Sequence, residues 1–226
     1  MRRPAEEHLA RDFRVHALAA DFDLLDVWRF PVVLPRDRSL ADFLDFLRRV
    51  QGRFRDGRSP AAMLFRLRRG LGRLFGWDDD LPAGTRRADP GRSSDSGRAS
   101  FLGFDSVHAS EDEVLFELEN ATVHALMHIG RVPLTRAERA APRDGAGGGA
   151  EHETPSGAEH ETPGGAEGDG SWAPELAVYV RRKGRLGRFY MALIAPFRHY
   201  VVYPEMMRSV ARAWPEEAAR LARETV

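Results

Sequence analysis

Cysteine is absent from this chain of 226 residues, which removes disulfides, thiol nucleophiles and cysteine-based zinc sites from consideration. Lysine is nearly absent too: Lys183 stands alone, and the remaining basic charge is arginine. That bias reads as GC-rich coding rather than a nucleic-acid surface, because the arginines are scattered among acids and not interleaved with aromatics that stack on bases. No apolar run is long enough to span a bilayer. The most membrane-like stretch, Phe189 to Pro204, falls short of a span and is interrupted by Arg198 and His199. The opening MRRPAEEHLARDF carries arginines, acids and a histidine where a secretory apolar segment would stand, so the expected location is cytoplasmic. Neither a serine in a nucleophile elbow nor a pair of carboxylates at distinctive spacing is present.

What remains is 42% hydrophobic, with 34 basic and 34 acidic residues in balance, the composition of a globular domain with a sizeable core. The balance is uneven along the chain. Residues 137–172 hold Glu138, Asp144, Glu151, Glu153, Glu159, Glu161, Glu167 and Asp169 against Arg139 and Arg143, and include the tandem repeat AEHETPSG and AEHETPGG. The stretch 136–172 is therefore expected to be a disordered low-complexity insertion, and 78–99, nearly devoid of apolar residues, a mobile loop. Residues 1–226 otherwise read as one domain.

The strongest pattern lies at the end. Leu176 to Val180 suits a strand, and after Arg181 to Gly184 the period changes to helical. Leu186, Tyr190, Leu193, Phe197, Val201, Pro204, Met207, Ala211 and Trp214 fall at three- and four-residue steps, predicting a helix of about 40 Å with this stripe facing inward. Pro196 and Pro204 predict a kink near Phe197 and a break near Glu205. Upstream, a first strand is expected between Phe13 and Val33, a helix capped by Ser39, a second helix begun by Ser59 and Pro60, and three antiparallel strands from Phe101 onward. The simplest packing is α+β: a curved antiparallel sheet gripping the long C-terminal helix, with a cavity between them wherever facing side chains leave space.

Three segments, LFRLRRGLGRLFGWDD at 64–79, ENATVHALMHIGRVP at 119–133 and GRLGRFYMALIAPFRHYVVYPEMMRSVARAW at the end, resemble the bacterial domain of unknown function 2867 family. The resemblance implies a helix-grip, START-like fold of the class that binds lipids, polyketides and other apolar molecules. Because such domains occur attached to NAD(P)-binding dehydrogenase-like domains, it also implies an oxidoreductase as a possible partner. It brings no established activity. GRLGRF at 184–189 lacks the glycines and the acidic partner of a dinucleotide fingerprint, so no cofactor is expected on this chain.

The candidate ligand-binding residues are Tyr190, Phe197, Arg198, His199, Tyr203, His124 and His128; catalytic residues are not identified. On a strand, His124 and His128 share a face but stand about 13 Å apart, too far to chelate one ion, while Val123, Ala125, Met127 and Ile129 form the apolar face opposite. The two histidines then point outward or toward a covering loop, or into a polar pocket. His152 and His160 belong to the repeat. Arg198 either clamps a carboxylate or phosphate or pairs with Glu205 or Glu117; His199 and Tyr203 suit proton transfer. Consecutive helical residues diverge by about 100°, so Arg198 and His199 are not expected to face one pocket together. Three functions stay open: a binding module for a small apolar or amphipathic molecule, a lyase- or cyclase-type enzyme using the same cavity, and an interaction domain accessory to an oxidoreductase.

Overall fold

In the computed structural model, residues 1–54, 100–101, 104–119, 123–140 and 170–224 are described. Two short helices open the chain, α1 (Ala5–Leu9) and α2 (Val15–Leu18), followed by strand β1 (Asp23–Arg29). Helix α3 (Leu40–Phe54) starts where a reciprocal cap forms: the Ser39 hydroxyl donates to Asp42 Oδ2 at 2.9 Å while Asp42 N–H donates back to Ser39 Oγ at 3.2 Å. Then come β2 (Ser100–Phe101), β3 (Phe104–Ala109), β4 (Glu113–Glu119), β5 (Val123–Pro133), α4 (Arg136–Ala140) and β6 (Trp172–Arg182). The chain closes with α5 (Gly184–Phe197), a π-helical turn over Arg198–Val202, and α6 (Tyr203–Glu224). The expected second helix at 59–76 and the loop at 78–99 lie outside the described residues.

All six strands form one antiparallel sheet in the order β1-β6-β5-β4-β3-β2. The sheet is covered on both faces. On one side Val114, Phe116, Ile129 and Leu176 pack against Phe43 and Leu47 of α3 and Tyr203, Met207 and Val210 of α6. On the other, Val27, Leu115, Leu126, Ala177 and Tyr179 pack beneath Phe13 and Val15 of the N-terminal segment. Burial of both faces explains why β6 is apolar almost throughout rather than alternating. The α+β reading, an antiparallel sheet with a long C-terminal helix laid across it, holds.

The expected insertion is structured at its ends. Strand β6 begins at Trp172, fully buried, whose indole N–H donates to the Pro35 and Arg38 carbonyls at 3.0 and 3.2 Å while the Arg131 guanidinium lies 4.8 Å above its ring. Low-complexity composition masked this strand start, because a tryptophan can anchor a chain whose neighbours have nothing to bury. At the other end Thr135 caps α4 with Glu138, and Glu138 accepts from Arg29 and Arg3 at 2.5 and 3.1 Å. Residues 141–169 lie outside the described residues. Leu134 N–H bonds to the Ser171 carbonyl at 3.1 Å, so the ends of the excursion meet. Replacing 141–169 with a short Gly/Ser link is expected to leave the melting temperature nearly unchanged, since loop length enters only logarithmically. Replacing 137–170 also removes Glu138 and is expected to cost about 1–3 kcal/mol, several degrees in a thermal melt.

Candidate functional site

An acid in the middle of an apolar strand must find partners or lose its charge, and β1 places one there: Asp26, in the run Leu24-Leu25-Asp26-Val27-Trp28, with its side chain 0% exposed. A bulge decides which way it points. The register of β1 on β6 slips between Leu24 and Asp26, leaving Leu25 unpaired. Leu24 accordingly packs with Val27 on the N-terminal side of the sheet, whereas Leu25, Asp26 and Trp28 all turn toward the long helix.

The helix meets Asp26 with an irregularity of its own. Pro204 has no N–H for the Tyr200 carbonyl four residues back, and its ring crowds that carbonyl, so the preceding turn widens. Tyr203 N–H reaches the Arg198 carbonyl, five residues back. One extra residue in this turn brings three side chains onto one carboxylate. Arg198 Nη2 lies 3.0 Å from Asp26 Oδ2, the Tyr203 hydroxyl donates to the same oxygen at 3.0 Å, and His199 Nε2 bonds to Oδ1. The expectation that Arg198 and His199 diverge is thus corrected: the wider turn and the reach of the arginine let both converge. The arginine's partner is neither Glu205 nor Glu117; Glu205 pairs with Arg208, and Glu117 with His124.

Electrostatics fix the roles. Burial and the Asp26 charge push the Tyr203 phenol well above its ordinary range, so it stays a donor. The carboxylate can only accept from His199, so Nε2 carries a proton and Nδ1 is the ring nitrogen turned away from Asp26. The His199 side chain is 28% exposed, and Nδ1 has no protein partner among the described residues.

Phe197 is not where periodicity placed it. It is 45% exposed, with Leu193, and the inward face runs instead through Met191, Ile194 and Arg198, then Tyr203, Met207 and Val210. A pure α-period carried through the π turn puts the stripe on the wrong side. Phe197→Ala is therefore expected to shift stability by less than about 1 kcal/mol, against about 2–5 kcal/mol for Met207→Ala, as parallel denaturation curves would show. Tyr203 is buried with Trp28, ring centroids 5.0 Å apart, so Phe197 and Tyr203 do not line one cavity. The side chain of Tyr190 lies outside the described residues. Beside Asp26, however, Leu25, Ala125, Val178 and Ile194 remain only partly buried between sheet and helix.

His124 and His128 lie on the opposite face, beneath the N-terminal segment. His128 is fully buried and bonds through Nε2 to Glu113 at 3.0 Å. Around it gather His8, whose ring lies 5.3 Å away and which joins Glu175 and Tyr179 at 2.9 Å each, and His16, which reaches Tyr179 at 3.1 Å. Burial lowers the His128 pKa, leaving a neutral ring. Burial opposes ionisation of Glu113, but hydrogen bonds from His128 and the Arg14 and Val15 amides outweigh it and bring its pKa down to about 2. This network is buried except at His16 and ties the N-terminal segment to the sheet. His124 is occupied on both nitrogens, by Glu117 at 2.7 Å and Arg181 at 3.0 Å. Glu117, Glu119 and His124 lie close enough together to approach a metal ion, with His124 already bonded to Arg181 and Glu119 paired with the Lys183 ammonium at 2.9 Å.

Asp26 is legible in the sequence as a lone acid inside LLDVW, and Glu175 likewise inside WAPELAV; His8, His16 and Glu113 carry no such signal. The chain matches, over residues 18–148 and 156–205, a family described as protein of unknown function (DUF2867). Those spans contain Asp26, Arg198, His199 and Tyr203 but stop short of His8 and His16. No curated protein and no solved structure matches the chain.

Proposed function

The chain belongs to the DUF2867 family, and we propose that it is a binding module for a small amphipathic molecule held where the β1 bulge meets the π turn. The observation that carries this reading is His199: oriented by a buried carboxylate, partly open to solvent, with Nδ1 unbonded among the described residues and so available to a ligand. Beside it, the partly buried Leu25, Val178 and Ile194 offer an apolar wall of the kind that takes a hydrocarbon or ring. The helix-grip shape is compatible with such a site, and the START-like fold that the family resemblance implies supports it by analogy of form alone.

Native mass spectrometry of the protein purified without denaturation, followed by a fluorescence titration with anilinonaphthalene sulfonate, tests the reading. Saturable one-to-one binding that weakens about tenfold in both His199→Gln and Ile194→Gln, but not in Phe189→Ser, is expected. Non-saturable binding, or indifference to both site variants, overturns it. A second reading, a lyase- or cyclase-type enzyme, rests on the Asp26–His199 pair itself. There His199 Nδ1 takes a proton from the substrate while Asp26 stabilises the imidazolium, and Arg198 and Tyr203 hold the carboxylate in place. Conversion of a co-purified molecule by the wild type and not by His199→Gln would favour it.

A further inference from the structure

The outer face of α5 and the π turn is apolar, and no described residue covers it. Phe189, Leu193, Phe197 and Tyr200 are 66, 50, 45 and 79% exposed, at steps of four, four and three residues, and Ala192 and Pro196 lie exposed between them. Exposed aromatics in a continuous ridge are unusual on a soluble surface and mark a contact. Charge says what kind. Between Glu175 and Glu205 the chain carries no acid, whereas Arg185 and Arg188 stand exposed at the N-terminal end of the ridge without an acidic partner among the described residues. Arg185 continues the ridge itself, one turn before Phe189.

Shape and area narrow the partner further. From Arg185 to Tyr200 the ridge is about 22 Å long and one helix, about 10 Å, wide, a few hundred Å² at most. A stable complex with a second copy or another folded protein needs roughly 800 Å² per side. A convex apolar ridge with arginines at its end has the form of a helix lying in a bilayer interface, where rings and leucine sink among the acyl chains and guanidinium groups reach the phosphates. No described helix is long and apolar enough to cross a membrane, so the contact is peripheral. We infer that α5 docks the protein, through Phe189, Leu193, Phe197 and Tyr200 with Arg185 and Arg188, on the surface of an anionic lipid bilayer. The inference stands apart from the Asp26 site, whose Arg198, His199 and Tyr203 turn toward the sheet from the π turn and the start of α6.

Flotation of the full chain with vesicles of phosphatidylglycerol and phosphatidylcholine, against pure phosphatidylcholine, decides it. The wild type is expected to float with the anionic vesicles and to lose binding as salt is raised. Both Arg185→Glu/Arg188→Glu and Phe189→Ser/Leu193→Ser are expected to reduce the bound fraction on the order of tenfold while leaving the melting temperature unchanged. Failure of the wild type to float at low salt overturns the proposal, as does equal binding by both double variants. So does light scattering that shows a dimer abolished by Phe189→Ser/Leu193→Ser, which would assign the ridge to a second copy.

Discussion

Asp26→Ala is expected to destabilise the protein by about 3–5 kcal/mol, although aspartate-to-alanine changes on a surface rarely matter. The carboxylate is fully buried and receives Arg198, His199 and Tyr203; removing it leaves a guanidinium, 15% exposed, facing apolar neighbours without a counter-charge. The asymmetry between making and breaking a buried pair sets the magnitude: the intact cluster contributes little net energy, while half of it is costly. Tyr203→Phe, which removes a single donor, is expected to cost about 1–2 kcal/mol. Urea denaturation of the three proteins checks the order. Asp26→Ala within about 1 kcal/mol of wild type would mean that the helix carries its polar side chains to solvent and that the carboxylate does not organise the junction.

Acid is expected to act on the other face of the sheet, in two windows. His128 and His16 have pKa values lowered chiefly by burial, so folding favours their neutral forms; that contribution is complete above about pH 6.5 and is lost as pH falls below it. Glu113 ionises near 2 in the folded chain against 4.5 ordinarily, so its contribution is present above 4.5 and is lost as pH falls from 4.5 toward 2. It alone accounts for on the order of 3 kcal/mol. Glu175, where bonds from His8 and Arg29 overcome the cost of burial, acts with the same sign. The network on this face therefore weakens in two steps on acidification, His128 and His16 first and the carboxylates of Glu113 and Glu175 after. Urea midpoints measured from about pH 8 to 3 should fall in both windows, and Glu113→Gln should flatten the lower one. A profile level down to about pH 4 would contradict the neutral, buried histidine network.

Local chemistry made parts of this fold readable in advance. The switch from period two to period helical after Val180 located β6 and α5, and Ser39 with Asp42 located α3, because each rests on contacts a few residues apart. What failed was phase. Two prolines predict kinks, but that one of them adds a residue to a turn depends on a carbonyl's steric fit, and the addition sets Leu193 and Phe197 on the opposite side from Met207. The N-terminal segment was opaque for a different reason: α1 and α2 span 5 and 4 residues, too short to show a period, and their order comes from His8 and Val15 being buried against a distant sheet. Of the seven candidate residues, Arg198, His199 and Tyr203 converge; the acid that gathers them was overlooked because apolar neighbours made its strand look ordinary.

The bulge at Leu25 and the widened turn after Phe197 each amount to one surplus residue. Neither surplus carries into the elements beyond it. Deleting Leu25 would leave Asp26 opposite Val178, because Leu24 and Asp26 already face consecutive residues of β6, and deleting Val201 would let the Tyr203 amide close an ordinary four-residue bond to the Arg198 carbonyl while Met207, Val210 and Leu221 keep their places. A gene can lose one codon at either point without unseating the core. Length, at these two points, is less constrained than side-chain identity.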